Sequence, residues 1–362
     1  FASVVSARTI YVPDDYEKIQ WAVDNASAGD IIIVRDGIYY ENLKVDKQLT
    51  IKSENGSDNC IVDGGGRGDV ITLNADGITI EGFTVRNSSY WSDGIKVFSN
   101  ANYITYNSIT NNYYGIHLYS SSNNTIANNT VSSNYYEGIF LYDSSNNIIT
   151  NNTASSNYLR GIYLKYSSNN ILANNTVSNN FDGICLWDSS NNTIANNTAS
   201  NNDDGIYLYY SSNNIIANNT ASSSNNEGIY LLNSSNNIIA NNNASNNYQG
   251  IYLIGSSNNN TIANNIASNN GDGICLFYYS SNNIIANNNL SSNNNTGIIS
   301  FDSPSNNIIA NNIVSNNYGG IFLSNSSSNT IANNTFYLNG MIVSDSYNNK
   351  VTNNTVNGKP LV

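Results

Sequence analysis

Charge is scarce in this chain, and histidine, methionine and cysteine are scarcer still. Only 10% of its 362 residues are charged, and 25 acidic side chains against 13 basic ones leave a formal net charge of −12. Nucleic acid and anionic membrane surfaces require a basic face, so neither is an expected partner. One His and three widely spaced cysteines, Cys60, Cys185 and Cys275, with no Cys-x-x-Cys spacing, offer no zinc or iron–sulfur pattern. With a single Met besides, soft metal ligands are so few that a role in metal-site maturation ranks last among the functions considered. No apolar run reaches the ~18 residues that mark a spanning helix, so no membrane span is expected.

What the chain does have is repetition. Eleven times from Gly94 to Gly320 a glycine is followed by isoleucine, at intervals of 21 to 24 residues. The intervening phrase Ser-Ser-Asn-Asn-(Thr/Ile)-Ile-Ala-Asn-Asn-Thr at 121–130 returns almost verbatim at 144–153, 167–176, 189–198 and 211–220. Such a period indicates one structural unit stacked many times, as a leucine-rich repeat or a β-solenoid. Leucine-rich repeats need several leucines and a convex segment per unit; here short alternating segments end in Asn, Ser and Gly, and the solenoid is preferred.

Each coil then contributes three strands. Gly-Ile-Tyr-Leu-Tyr at 205–209 sends Ile206 and Leu208 to one face and Tyr207 and Tyr209 to the other. A second strand turns Ile126, Ile149, Leu172, Ile194 or Ile216 inward, and a third carries the Ala or Val after the Thr. Coils about 4.8 Å apart would make eleven of them a rod on the order of 50 Å. Identical residues would stack on themselves, with paired asparagines donating and accepting along a ladder at the bends. The persistent Ile and Leu argue against low-complexity disorder.

These repeats resemble right-handed parallel β-helix repeats of the pectate-lyase-like superfamily, of the NosD-like or carbohydrate-binding-and-sugar-hydrolase type found in archaeal surface proteins. The opening segments Ile10–Asp24 and Ala28–Tyr39 are similar to that family's start. The resemblance implies an all-β, single-stranded right-handed parallel β-helix of 22–23-residue coils with a short N-terminal capping helix. It implies no single activity, because the family includes enzymes, binding modules and structural proteins.

The expected organisation is an arm and capping helix over 1–30, irregular first coils over 31–93, regular coils over 94–345, and a last coil and tail over 346–362. Asp14 or Asp15 is placed as N-cap of a helix from Tyr16 to Ala26, with Ile19, Ala22 and Val23 on one face. Residues 31–86 read as irregular early coils, including Ile31–Val34, Leu49–Ile51, Val70–Leu73 and Gly77–Val85. Residues 1–7 read as the tail of an export signal or as an apolar packing arm. No capping segment follows 357–362, so a partner or further polypeptide is expected there.

Counting outward from each glycine sorts the surface into columns. The second and fourth positions after it give an outward stripe that includes Phe140, Tyr142, Tyr163, Trp187, Tyr207, Tyr209, Tyr230, Tyr252, Phe277 and Phe322. A stripe of that length exceeds the patch a monomer ordinarily exposes. On one reading the rings simply suit strands and pack on their ladder neighbours; otherwise the stripe stacks on sugar rings or, as is preferred, packs against another protein surface or a second copy. Before each glycine runs a polar column in which Asp182, Asp204 and Glu227 follow one another, with Arg160 between Glu137 and Asp182. A solvated charge row is the plain reading; Ca²⁺ among Asp182, Asp204 and Glu227 is the one cofactor these residues suggest. Arg160, Lys165, Asp182 and Asp204, with Asp188 nearby, could imitate the Ca²⁺-and-base or clustered-aspartate arrangements of family lyases and hydrolases. No family signature transfers residue by residue, and the reading leans away from an enzyme. Lys165 is explained by cation–π packing between Tyr142 and Trp187, and His117 is read as structural, without an acid partner.

Eighteen Asn-x-(Ser/Thr) triplets occur, and Asn87, Asn128, Asn151, Asn174, Asn196, Asn218, Asn333 and Asn353 are the glycosylation candidates. Composition alone also generates such triplets. The leading expectation is an exported extracellular or cell-surface structural protein, a coat, adhesin or filament subunit, because active sites normally break a repeat and this repeat is nearly unbroken. The alternative is a polysaccharide-binding or polysaccharide-degrading β-helix.

Overall fold

In the computed structural model, which describes residues 7–361, the chain divides into two compact units, Phe1–Thr176 and Val177–Val362. Residues 1–6, on which most of the proposed export tail or arm falls, lie outside the described residues. Within each unit nearly all strands lie in parallel sheets in which every third strand of the sequence is a hydrogen-bonded neighbour; Thr9–Val12 pairs with the next strand, Ile31–Val34, and Thr355–Val356 pairs antiparallel with Lys359–Pro360. The fold is the expected all-β solenoid.

Three sheets recur in both units. A glycine sheet holds strands such as Tyr114–Tyr119, Ile139–Tyr142 and Arg160–Lys165 in the first unit, and Asp204–Tyr209, Glu227–Leu232 and Gln249–Ile254 in the second. An isoleucine sheet holds Thr125–Ala127, Ile148–Thr150 and their equivalents, and a threonine sheet holds Thr130–Ser132, Thr153–Ser155 and theirs. The register sets like on like: Ile116 pairs with Ile139 and Leu118 with Leu141, Ile206 with Ile229 and Leu208 with Leu231. Inward Ile126, Ile149, Val131 and Ala154 in one unit, and Ile216, Ile229 and Ala221 in the other, are fully buried.

Close approach, not an unusual φ, explains the recurring glycine. A Cβ on Gly205 would sit 2.5 Å from the carbonyl oxygen of Gly228 on the next coil. The doubled asparagine divides two tasks. The first of each pair turns the corner in the left-handed region, with φ 57° at Asn128 and 55° at Asn151, a conformation Asn tolerates better than most residues. The second points inward and hydrogen-bonds along the stack. Asn152 donates its backbone N–H and Nδ2 to Asn175 Oδ1, at 3.0 and 3.1 Å, and Nδ2 also to Ile126 O at 2.9 Å. Its own Oδ1 accepts from Asn129, so an amide only 1% exposed is fully satisfied.

The capping helix is shorter than expected, Ile19–Asn25, and buries Ile19, Ala22 and Val23 as foreseen. Neither aspartate caps it. Asp14 is engaged by Arg35, Asp15 accepts the Tyr11 amide, and the carboxylate of Glu41, a coil away, takes the Ile19 and Gln20 N–H groups at 2.9 Å. A cap supplied from a distant residue leaves no local motif. The early-coil segment at 77–85 holds two strands, Thr79–Glu81 and Thr84–Arg86, separated where Gly82 adopts φ 78°.

Candidate functional site

The outward side of the glycine sheet carries the predicted stripe, yet its ring faces are already occupied. In the first unit Phe140 stacks on His117 at 4.7 Å and on Tyr163 at 5.0 Å, with planes 17° and 6° apart. In the second, Tyr230 lies between Tyr207 at 4.7 Å and Tyr252 at 5.4 Å, both 11° from parallel. These spacings follow the strand-to-strand distance of a parallel ladder. Phe140 and Tyr163 are buried, Tyr207, Tyr230 and Tyr252 half-buried. Rings sandwiched on both sides present edges, so the stripe is not the open stacking surface expected. Tyr142, Trp187, Tyr209, Phe277 and Phe322 are half-exposed beside it. Lys165 places its ammonium over Tyr166 at 5.3 Å, a cation–π contact with a ring next to its own strand.

The polar column is partly buried, where a solvated row was expected: Glu227 and Asp272 are half-buried. Glu137, Asp182 and Asp204 are 1%, 2% and 9% exposed. One use of these carboxylates is local. Asp204 Oδ1 accepts the backbone N–H of Glu227 at 3.2 Å, and Asp272 Oδ1 that of Thr296 at 2.9 Å. Burial, then the hydrogen bond and charge of Glu227, pushes Asp204 up to about 8, so this pair holds a proton near neutrality. Among the described residues no group of three or more His, Cys, Asp or Glu is arranged to hold a metal ion. Arg160 and Lys165 belong to the first unit, and Asp182, Asp188 and Asp204 to the second.

In the first unit the same face holds a charged cluster that sequence reading underrated. Lys96 Nζ lies 3.1 Å from Asp93 and 3.9 Å from Asp69. Asp93, 1% exposed, also meets His117 Nδ1 at 3.3 Å, so the sole histidine does have an acid partner, one coil earlier. The register explains the miss: Asp93 pairs with Tyr114, three residues before His117, outside the histidine's own column. His117 Nε2 is buried without a hydrogen-bond partner among the described residues. Burial raises Asp69, and it opposes the charge on Lys96, but Asp93 and Asp69 outweigh it and raise Lys96 as well. Further along the stack, Arg160 bonds Glu137 of the preceding coil at 3.0 Å and covers the Tyr163 ring at 4.3 Å.

Beside this cluster the repeat is broken by exposed aromatics. Tyr90 and Trp91 are 65% and 62% exposed, and Tyr135 59%. They meet around the buried Tyr113, which Tyr90 approaches at 4.9 Å, Trp91 at 4.7 Å and Tyr135 at 5.5 Å. A cavity of about 340 Å³ opens among Ser88, Ser89, Tyr90, Asn111–Tyr113, Ser133 and Tyr135. The signal was available as Tyr90-Trp91, Tyr113-Tyr114 and Tyr135-Tyr136, outside the columns counted from glycine.

Two further surfaces bear on function. Asn151, Asn174, Asn196, Asn218, Asn333 and Asn353 are exposed at left-handed corners, while Asn87 and Asn128 are half-buried. The isoleucine sheet turns Ile215, Ile238, Ile284 and Ile308 outward in the second unit, each at least 41% exposed, a column that sequence reading passed over. No described helix is long and apolar enough to cross a membrane.

Two family models match the chain. One, described as a right handed beta helix region, covers residues 149–290; the other, described as periplasmic copper-binding protein (NosD), covers 23–192 and 253–360. Among curated proteins no match is found. Solved structures similar to the chain include an alginate lyase, AlyF-OU02, at TM-score 0.63 and 13% identity over 95% of this chain and 88% of that one. The A-module of Azotobacter vinelandii mannuronan C-5 epimerase AlgE6 aligns at TM-score 0.51 and 14% identity over 95% of each chain. The Dettilon tailspike protein aligns at 0.54 and 16% over 94% of this chain and 68% of that one. At such identities the likeness is one of fold. The copper in the second description finds little to hold it here. The one His is turned to Asp93, all three cysteines are buried, and burial raises the Cys60 and Cys275 thiols, the opposite of what a thiolate ligand requires.

Proposed function

The chain belongs to the NosD family, and on that footing we propose that it is exported and binds a polysaccharide across the glycine-sheet face of its first unit. The observation that carries the reading is a local break in an otherwise monotonous repeat. On neighbouring coils one face gathers Asp69, Asp93, Lys96 and His117, the Glu137–Arg160 pair, and the exposed Tyr90, Trp91 and Tyr135. Charged hydrogen-bonding groups beside aromatic rings suit a ligand with both hydroxyl-rich and C–H-rich faces. Two of the similar folds carry names of enzymes acting on mannuronan and alginate, which supports the ligand class and assigns no reaction.

Affinity electrophoresis through neutral and acidic polysaccharides, with and without Ca²⁺, tests this. Retardation by at least one polymer, weakened in Trp91→Ala, is expected. Migration unchanged in every polymer would sink the reading, and turnover of any polymer that is lost in Asp204→Ala would make the protein an enzyme working through the second unit.

A surface-coat, adhesin or filament role is the second reading, and the exposed isoleucine column favours it. A row of Ile215, Ile238, Ile284 and Ile308 is apolar area suited to another protein surface or a second copy. Sedimentation velocity of wild type and Ile238→Lys/Ile284→Lys separates the two. Concentration-dependent association that the double variant abolishes supports packing; a monomer at all concentrations removes self-assembly.

A further inference from the structure

We propose that the cavity bounded by Ser88, Ser89, Tyr90, Asn111–Tyr113, Ser133 and Tyr135 is a subsite for a single uncharged sugar ring, an inference that rests on the polysaccharide reading and sharpens it. At about 340 Å³ the cavity sits at the small end of ligand sites, which run from roughly 300 to 1,000 Å³. That is room for one sugar ring, not for a length of polymer.

The lining chooses the charge of the ligand. The lining contains no Asp, Glu, Lys, Arg or His, so a uronic carboxylate would lose water there and meet no cation. The cations of the proposed binding face, Lys96 and Arg160, are engaged by Asp93 and Glu137. An uncharged ring meets the right complement. The side chains of Asn111 and Ser133 make no hydrogen bond among the described residues, and both residues are exposed at left-handed corners. They are available to sugar hydroxyls.

The aromatic wall supplies the other face. Tyr135 lies 5.9 Å from Tyr90 and tilts 61° from it, so the two rings form walls meeting at an angle, with Tyr113 5.5 Å from Tyr135 on the preceding coil. Buried Tyr113 is the floor. On the next coil Tyr158, 71% exposed, lies parallel to Tyr135 at 6.0 Å and extends the wall. In the second unit Phe181, Tyr248 and Tyr318 also follow the ladder residue, but on coils separated by others that carry Asp203, Asn225 and Asn294, whereas this unit has Tyr113, Tyr135 and Tyr158 on three successive coils. A run of adjacent rings is therefore particular to this unit.

Calorimetric titration of the full chain with cellohexaose, mannohexaose, xylohexaose and hexagalacturonate tests the inference. At least one neutral hexamer is expected to bind. Tyr135→Ala should weaken it about tenfold, the loss of one stacked ring, while Tyr135→Phe retains it. Unchanged melting of both variants confirms that the fold is intact. Neutral hexamers that bind wild type and a Tyr90→Ala/Tyr135→Ala variant equally overturn the subsite and leave polysaccharide binding standing. Binding of hexagalacturonate alone, or a Tyr135→Ala defect shared equally by hexagalacturonate, overturns the proposed neutrality. Absence of binding by all four, in a protein that no polysaccharide retards, overturns both.

Discussion

Replacing Asp204 by asparagine should remove a pH dependence of stability that the wild type carries between about pH 4 and pH 8. Folded Asp204 is pushed up to about 8 from an ordinary 3.8, by burial first and by Glu227 second. An unfolded Asp releases its proton near 4, so between the two values the folded chain binds more protons than the unfolded one. Stability therefore falls as pH rises through that window and levels off above it. Four units at about 1.4 kcal/mol each set a ceiling near 5 or 6 kcal/mol. Because Glu227 shares the proton and the backbone N–H of Glu227 stabilises the ionised form, roughly 2–3 kcal/mol is the expected fall. In Asp204→Asn the amide oxygen can still accept that N–H, as Asp204 Oδ1 does at 3.2 Å, and nothing titrates at this position. The variant should match wild type near pH 4 and exceed it at pH 9. Urea unfolding followed by far-ultraviolet circular dichroism at pH 4, 5, 6, 7, 8 and 9 gives both curves. Curves that stay parallel across the range would refute the shared-proton argument, and a variant less stable than wild type at pH 9 would refute the burial argument too.

The remaining predictions probe other columns. Asn219→Asp should cost about 3 kcal/mol or more, because Nδ2 donates to Ile194 O at 2.9 Å and Asn242 Oδ1 at 3.0 Å and a carboxylate would turn those contacts repulsive; thermal melting reads the loss. Arg160→Met should cost roughly 3 kcal/mol by taking from Glu137, 2% exposed at its side chain, the guanidinium 3.0 Å away, and Arg160→Met/Glu137→Gln should recover most of it; a double variant no better than the single one would contradict the account. Gly205→Ala should destabilise by 2 kcal/mol or more on the scale of core overpacking, since its Cβ would meet the Gly228 carbonyl oxygen at 2.5 Å. Calorimetry with Cu⁺ or Cu²⁺ should find no site of micromolar or tighter affinity, and tight stoichiometric binding abolished by His117→Ala would show the donor inventory to be misjudged.

What was legible in the sequence is what repetition encodes. The Gly-Ile phrase gave the strand, its inward Ile and Leu, and the column logic, because in a parallel ladder each residue's neighbour is its own counterpart. The Asn pairs were readable as a ladder, though not as two roles, since left-handed φ at Asn128 and amide stacking at Asn129 look alike as letters. Two kinds of fact escaped. Burial of the acidic column depends on what lies over Asp182 and Asp204, and the Asp93–His117 contact joins positions three apart in the register. Glu41 capping a helix 22 residues earlier is the same kind of relation, across coils and off the column. The aromatic cluster was missed because counting began at each glycine and stopped at the strand's end.

The like-on-like register has one consequence for how such a chain finds its structure. Within each unit, an isoleucine such as Ile229 meets almost the same partner whether it pairs with the coil beside it or slips by a whole coil, so the regular coils carry no index of their own position. Slippage by 22 or 23 residues would cost little in hydrogen bonds there. In the first unit the marks that fix the count are the irregular ones: Glu41 on its helix, Asp63 held by Arg86 and Asn87, and Asp93 with Lys96 and His117. They act like the zero line of a ruler, without which evenly spaced graduations measure nothing.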